Sequence, residues 1–192
     1  KSPYAVDVDG EQAWPPPDTP YGASLVPPLE PGKPLRMAFG SCRVSVAHDA
    51  EGNAAHGGDA LRAYALRMAG MTADGHGSQP DDRWPDLVLF LGDQGYADET
   101  SPEMKAFIEQ RRDPTRSPWY ELKDYEEYAH LYRLAWSDDA NRWLLSTLPS
   151  AMIFDDHDIR DDWNTSDTWR RQMDDQPWWR DRIRAGLASY WV

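Results

Sequence analysis

Three short apolar runs, each ending in a polar motif, constrain this chain more than any other feature. Leu35-Arg36-Met37-Ala38-Phe39 runs into Gly40-Ser41-Cys42-Arg43. Leu87-Val88-Leu89-Phe90-Leu91 runs into Gly92-Asp93, and Ala151-Met152-Ile153-Phe154 runs into Asp155-Asp156-His157-Asp158. Short apolar runs bounded by turn residues read as buried strands. Between them the spacing turns helical: Ala60 to Met68, Tyr125 to Trp136 and Arg142 to Leu148, with Pro149 closing the series. Ser101-Pro102-Glu103 reads as a helix start, serine capping and proline at the first helical position. Strands alternating with helices predict an α/β fold built on a largely parallel sheet.

Size allows one such core. The chain has 192 residues, 40% of them hydrophobic, with ten tryptophans to supply large apolar surfaces. From Trp14 to Pro34 proline and glycine dominate, so residues 1–34 are expected to be an extended lead-in or linker and 35–192 the domain. No apolar run is long enough to span a membrane, and nothing reads as a signal peptide. The formal net charge of -13 disfavours loose contact with nucleic acid or an anionic membrane and favours cations. The single cysteine, Cys42, rules out an internal disulfide.

The chemistry is expected at the carboxyl ends of the strands, where open α/β sheets bind their ligands. Cys42, Asp93, Tyr96, Asp156 and His157 stand there on separate segments. Carboxylates suit hard cations; a thiolate or phenolate suits a transition metal. Each residue alone has an ordinary use: a small buried cysteine, a Gly-Asp turn, a packed tyrosine, an aspartate cap. The full Asp155–Asp158 run is harder to account for so, because four polar residues directly after a buried strand need partners. His48, His56, His76 and His130 read as solvated or structural.

Gly40-Ser41-Cys42-Arg43, Gly92-Asp93-Gln94-Gly95-Tyr96 and Asp155-Asp156-His157-Asp158 together resemble, in order and spacing, the alkaline phosphatase D (PhoD-like) family of calcineurin-like metallophosphoesterases. The resemblance runs from about Leu35 to the end of the chain. It implies a metallophosphoesterase-like sheet core flanked by helices and hydrolysis of phosphate monoesters or diesters. It further implies iron and calcium as cofactors, other divalent metals being alternatives. By the same resemblance Cys42 and Tyr96 bind iron, Asp93 bridges two metals and Asp156 is a metal ligand. His157 stabilises the transferring phosphoryl group, and Arg43 contacts phosphate. Two positions depart from the family pattern: Asp158 stands where glutamate is more frequent, and Gly95 where a branched apolar residue is common.

The family continues with further histidine motifs, whereas no histidine follows His157 here. Ile183, Leu187, Tyr190, Trp191 and Val192 keep an apolar helical spacing without a cap. The expectation is therefore the N-terminal part of the domain, inactive alone, whose apolar end meets a further segment or self-associates. Two competing expectations are a non-catalytic acidic calcium-binding or recognition module, with Trp163, Trp169, Trp178 and Trp179 stacking on a ligand, and a catalytically dead family fragment. The tryptophans, interleaved with aspartate and arginine, fit better as the buried face of surface helices.

Overall fold

The computed structural model describes residues 2–4, 6–8, 11–16, 19–26, 30–45, 47–71 and 84–191. His76 and Val192 lie outside the described residues. The chain forms two compact units, one of residues 1–40, 48–90 and 136–152, the other of 41–47, 91–135 and 153–192. Among the described residues no helix is long and apolar enough to cross a membrane.

In the first unit, β1 (Ser2–Tyr4) pairs antiparallel with β4 (Ser24–Val26), and β2 (Val6–Val8) with β3 (Glu11–Trp14). A separate three-stranded sheet has the order β5 (Met37–Gly40), β6 (Leu87–Leu91), β7 (Ser150–Ile153). β5 and β6 run parallel, with Met37 opposite Leu87 and Phe39 opposite Leu89. The fold is α/β, as the alternation of patterns predicts.

Short α1 (Ala50–His56) buries nothing, whereas α2 (Ala60–Ala69) and α5 (Asp139–Thr147) carry the core. Asp59 caps α2 by accepting from the Leu61 and Arg62 amides, and Asp138 caps α5 by accepting from those of Ala140 and Asn141. Leu66, Met68, Trp143 and Leu144 pack with Val88 and Phe90, the alternate residues of β6 that share one sheet face. A fully buried side chain of this size contributes about 1.5–3 kcal/mol, so this cluster dominates the unit.

Two features of this unit differ from expectation. The lead-in is not simply extended: Trp14 is buried in the core, its Nε1 donates to Ser146 Oγ at 2.8 Å, and Ser24 Oγ lies 2.7 Å from the same hydroxyl. The strands are also not buried throughout. Met37 is 46% and Phe39 69% exposed, because only the face shared with Val88 and Phe90 meets the helices. An apolar run marks a strand without saying which of its faces is covered.

The second unit is built from α3 (Pro102–Arg111), α4 (Tyr125–Trp136), α6 (Asp167–Asp174) and α7 (Trp179–Trp191). Ser101 caps α3 by accepting from Met104 N at 3.2 Å, with Pro102 opening the helix. Trp178 and Trp179 are buried with Ile159, and Trp163 and Trp169 pack partly against them. These side chains therefore form a core rather than a display for ligand stacking. Two of its buried charges are paired with opposite ones. Glu127 takes Arg112 Nε at 2.7 Å, and fully buried Arg182 donates to Glu121 and to the Ile159 carbonyl. The second pairing ties α7 to the segment directly after the Asp155–Asp158 run.

Candidate metal centre

The motif segments meet within the second unit. The loop after β6 and the loop after β5 are joined backbone to backbone: Cys42 N donates to Gly92 O at 3.2 Å and Arg43 N to Asp93 O at 2.9 Å. Both loops adopt left-handed backbone at non-glycine residues, Cys42 at φ 55° and Asp93 at φ 51°. Such a conformation costs about 1–2 kcal/mol per residue, so surrounding contacts must hold it. The segment after β7 forms a single 3₁₀ turn, Asp156–Asp158, capped by Asp155, whose Oδ1 accepts from Asp156 N at 3.0 Å.

Gly92 makes the approach of these segments feasible. Its φ is +94°, and a Cβ there would lie 2.3 Å from Asp155 Cβ. At Gly95 the space is taken by neighbouring side chains: a Cβ would lie 2.7 Å from Leu131 Cδ2 and 3.3 Å from Tyr132 Cε1.

Carboxylates concentrate at the junction. Ligand atoms of Asp93, Asp155 and Asp156 all lie within 4.8 Å of one another, and those of Asp156, Asp161 and Asp162 do likewise. Asp93 is only 5% exposed, and its Oδ1 is buried without a hydrogen-bond partner. An unpartnered buried oxygen of this kind costs about 1–3 kcal/mol, more when charged, which a cation would offset. Burial raises the Asp93 pKa; the neighbouring Cys42 thiol opposes this, and the charge of Asp155 adds to it. Asp156 Oδ1 accepts from His157 N at 3.1 Å and Oδ2 from Asp162 N at 2.8 Å. A carboxylate oxygen engaged once in this way retains a lone pair for a metal. The donor set therefore fits a hard cation.

Tyr96 packs on the imidazole of His157, ring centroids 4.6 Å apart. Burial, then the charges of Asp93 and Cys42, push the Tyr96 phenol up to about 12. His157 Nδ1 lies 3.0 Å from Asp98 Oδ1 and 3.2 Å from Oδ2, and Nε2 lies 3.6 Å from Asp161. Burial lowers the His157 pKa, but the hydrogen bond and charge of Asp98 outweigh it, and the net direction is upward. Asp98 is held in turn by Asp161 N, which donates at 2.6 Å.

Cys42, Asp93, Tyr96, Asp156 and His157 are thus brought into one neighbourhood. Arg43 joins it through its backbone, while its guanidinium donates to Ala135 O at 2.7 Å. Phosphate contact by that nitrogen would compete with this bond. Sequence reading missed Asp98 as the partner of His157 and left Asp155 without a ligand role. The available signal for Asp98 was a second carboxylate in the loop that carries Asp93 and Tyr96. The remaining described histidines have other settings: His48 faces Asp138 at 3.8 Å, His56 ends α1 and His130 stacks on Phe107.

The family model described as PhoD-like phosphatase matches residues 70–191. That span includes Asp93, Tyr96, Asp98 and the Asp155–Asp158 run, and leaves Cys42 and Arg43 outside it. No curated protein and no solved structure matches the chain.

Proposed function

Because this chain belongs to the PhoD-like phosphatase family, we propose that its site hydrolyses phosphate monoesters or diesters with bound metal. The observation that carries the reading is the buried, unpartnered Asp93 Oδ1 with the Asp155 and Asp156 carboxylates beside it. These three residues would hold the metal, with Cys42 and Tyr96 as the donors suited to iron and the carboxylates suited to calcium. The metal, when bound, polarises the phosphoryl group and lowers the pKa of water. Tyr96 would bind as its phenolate, the form a nearby cation favours.

The protein's own contribution falls to His157. With Asp98 on Nδ1, the ring is fixed in orientation and Nε2 is the nitrogen presented outward. Asp98 raises the pKa of the ring, so Nε2 can carry a proton and donate it to a phosphoryl oxygen as negative charge develops there. Arg43 would add a second positive group on exchanging its bond to Ala135 O for phosphate.

The test combines metal content with turnover. The purified chain is supplied with iron and calcium, analysed for both elements and for visible absorption, and assayed with a chromogenic phosphate monoester and diester. Asp93→Ala is expected to lose the metal and with it any turnover and any ferric colour from Tyr96 or Cys42. Iron and calcium retained by Asp93→Ala at wild-type stoichiometry, or turnover indifferent to His157→Ala, would overturn the assignment.

A further inference from the structure

The metal reading leaves Asp158 without a task, although it is one of the most deeply buried carboxylates in the second unit, 1% exposed. Its two oxygens are surrounded by donors. Oδ2 accepts from Asp93 N at 2.8 Å and Asp155 N at 3.1 Å; Oδ1 accepts from Gln94 N and Gly95 N, each at 3.1 Å, with Tyr132 Oη at 3.5 Å. Three successive amides of one loop thus converge on a single carboxylate, an arrangement suited to binding an anion. The fourth amide belongs to the capping residue of the turn that carries Asp156 and His157.

We infer that Asp158 is the positioning residue of the site, locking the loop that presents Asp93 to the turn that presents Asp155 and Asp156. This rests on the metal reading for its purpose but not for its geometry. The left-handed backbone at Asp93 aims its side chain into the cluster, and the amides of Asp93, Gln94 and Gly95 are held in place by the Asp158 oxygens. Asp155 N is held by the same group, so the spacing between the facing carboxylates is set by one side chain whose oxygens accept from backbone amides. Only a carboxylate can do this. The isosteric amide of asparagine would turn an NH₂ toward backbone N–H groups and leave donors facing donors. Glutamate keeps both acceptor oxygens.

The experiment has a metal-free arm and a metal arm. In the metal-free arm, amide hydrogen exchange is followed by NMR. In the wild type, the amides of Asp93, Gln94, Gly95 and Asp155 are expected to be protected like the core amides of α4. Asp158→Asn should speed exchange at these four by roughly tenfold or more while α3 is unchanged. Rapid exchange of the four amides in the wild type overturns the inference without any variant needing to fold. In the metal arm, binding of Mn²⁺ is measured by the loss of its free EPR signal. Asp158→Asn should weaken binding about 10- to 100-fold, as for other groups that orient metal ligands, and Asp158→Glu should restore most of it. An Asp158→Asn chain that binds Mn²⁺ like wild type refutes positioning, as does a glutamate variant no better than asparagine. A wild type that binds no Mn²⁺ overturns the metal reading instead, and the exchange arm then decides the role of Asp158.

Discussion

Replacing Gly92 by alanine tests the closest approach in the site. The new Cβ would lie 2.3 Å from Asp155 Cβ and 3.0 Å from Asp155 N, distances at which backbone or a rigid Cβ must move. The substitution also forces alanine into φ +94°, which costs about 1–2 kcal/mol for an L side chain. Overpacking against atoms that cannot rotate away adds about 1–3 kcal/mol, giving a destabilisation of about 2–5 kcal/mol. Gly95→Ala in the same loop is the internal control. Its new Cβ meets Leu131 Cδ2 at 2.7 Å, the far end of a flexible side chain, and its φ is not positive. About 1 kcal/mol is expected there. Guanidinium denaturation of both variants, followed by amide signals of the second unit, gives the comparison. Mn²⁺ titration gives a second readout, because moving Asp155 disturbs the facing carboxylates. A Gly92→Ala chain no less stable than Gly95→Ala, or one with wild-type Mn²⁺ affinity, would refute the close approach of residues 92 and 155.

Three further outcomes are expected. Trp179→Ala should destabilise the second unit by about 3–5 kcal/mol, because the ring is buried against Ile159 and stacks edge-on with Trp169; a loss below about 1 kcal/mol in a denaturant series would contradict that packing. Glu127→Ala should cost about 3–5 kcal/mol by leaving Arg112 without its buried partner, and a melting temperature equal to wild type would show the pair is dispensable. Burial, with a smaller effect from Arg133, holds the His130 pKa below its ordinary value. The neutral form is therefore the one the fold favours. Its stabilisation is present above the ordinary histidine pKa and lost as pH falls through the lowered one. An NMR titration midpoint for His130 at or above that ordinary value would refute this.

How far the sequence could be read depends on the range of the interaction concerned. β6 lies at Leu87–Leu91 and α4 at Tyr125–Trp136, the spans their apolar spacing predicts, because periodicity and turn residues act locally. The Ser101-Pro102 start of α3 is local in the same way. α5 begins at Asp139, earlier than its apolar spacing indicates, because the Asp138 cap rather than the first apolar residue sets the start. The motif order made Asp93, Tyr96, Asp156 and His157 legible as candidates. What stayed hidden are pairings between side chains distant in sequence: Asp98 with His157, Arg182 with Glu121, and the amides of residues 93–95 with Asp158. No spacing rule encodes these, since each depends on how loops close. Trp14 is the same case, a core residue inside a proline-rich stretch, tied down by the Ser146 hydroxyl.

The uncovered side of β5 bears on how the protein behaves at high concentration. Met37 and Phe39 project apolar surface from a strand that is outermost in its sheet among the described residues, the kind of edge on which chains add to one another. A net charge of -13 opposes that encounter by mutual repulsion. The repulsion reaches about 10 Å at 0.1 M salt and about 3 Å at 1 M. Colloidal stability is thus a contest between a sticky edge and a salt-sensitive shield. Raising ionic strength weakens only the shield, so light scattering from this chain is expected to rise with salt.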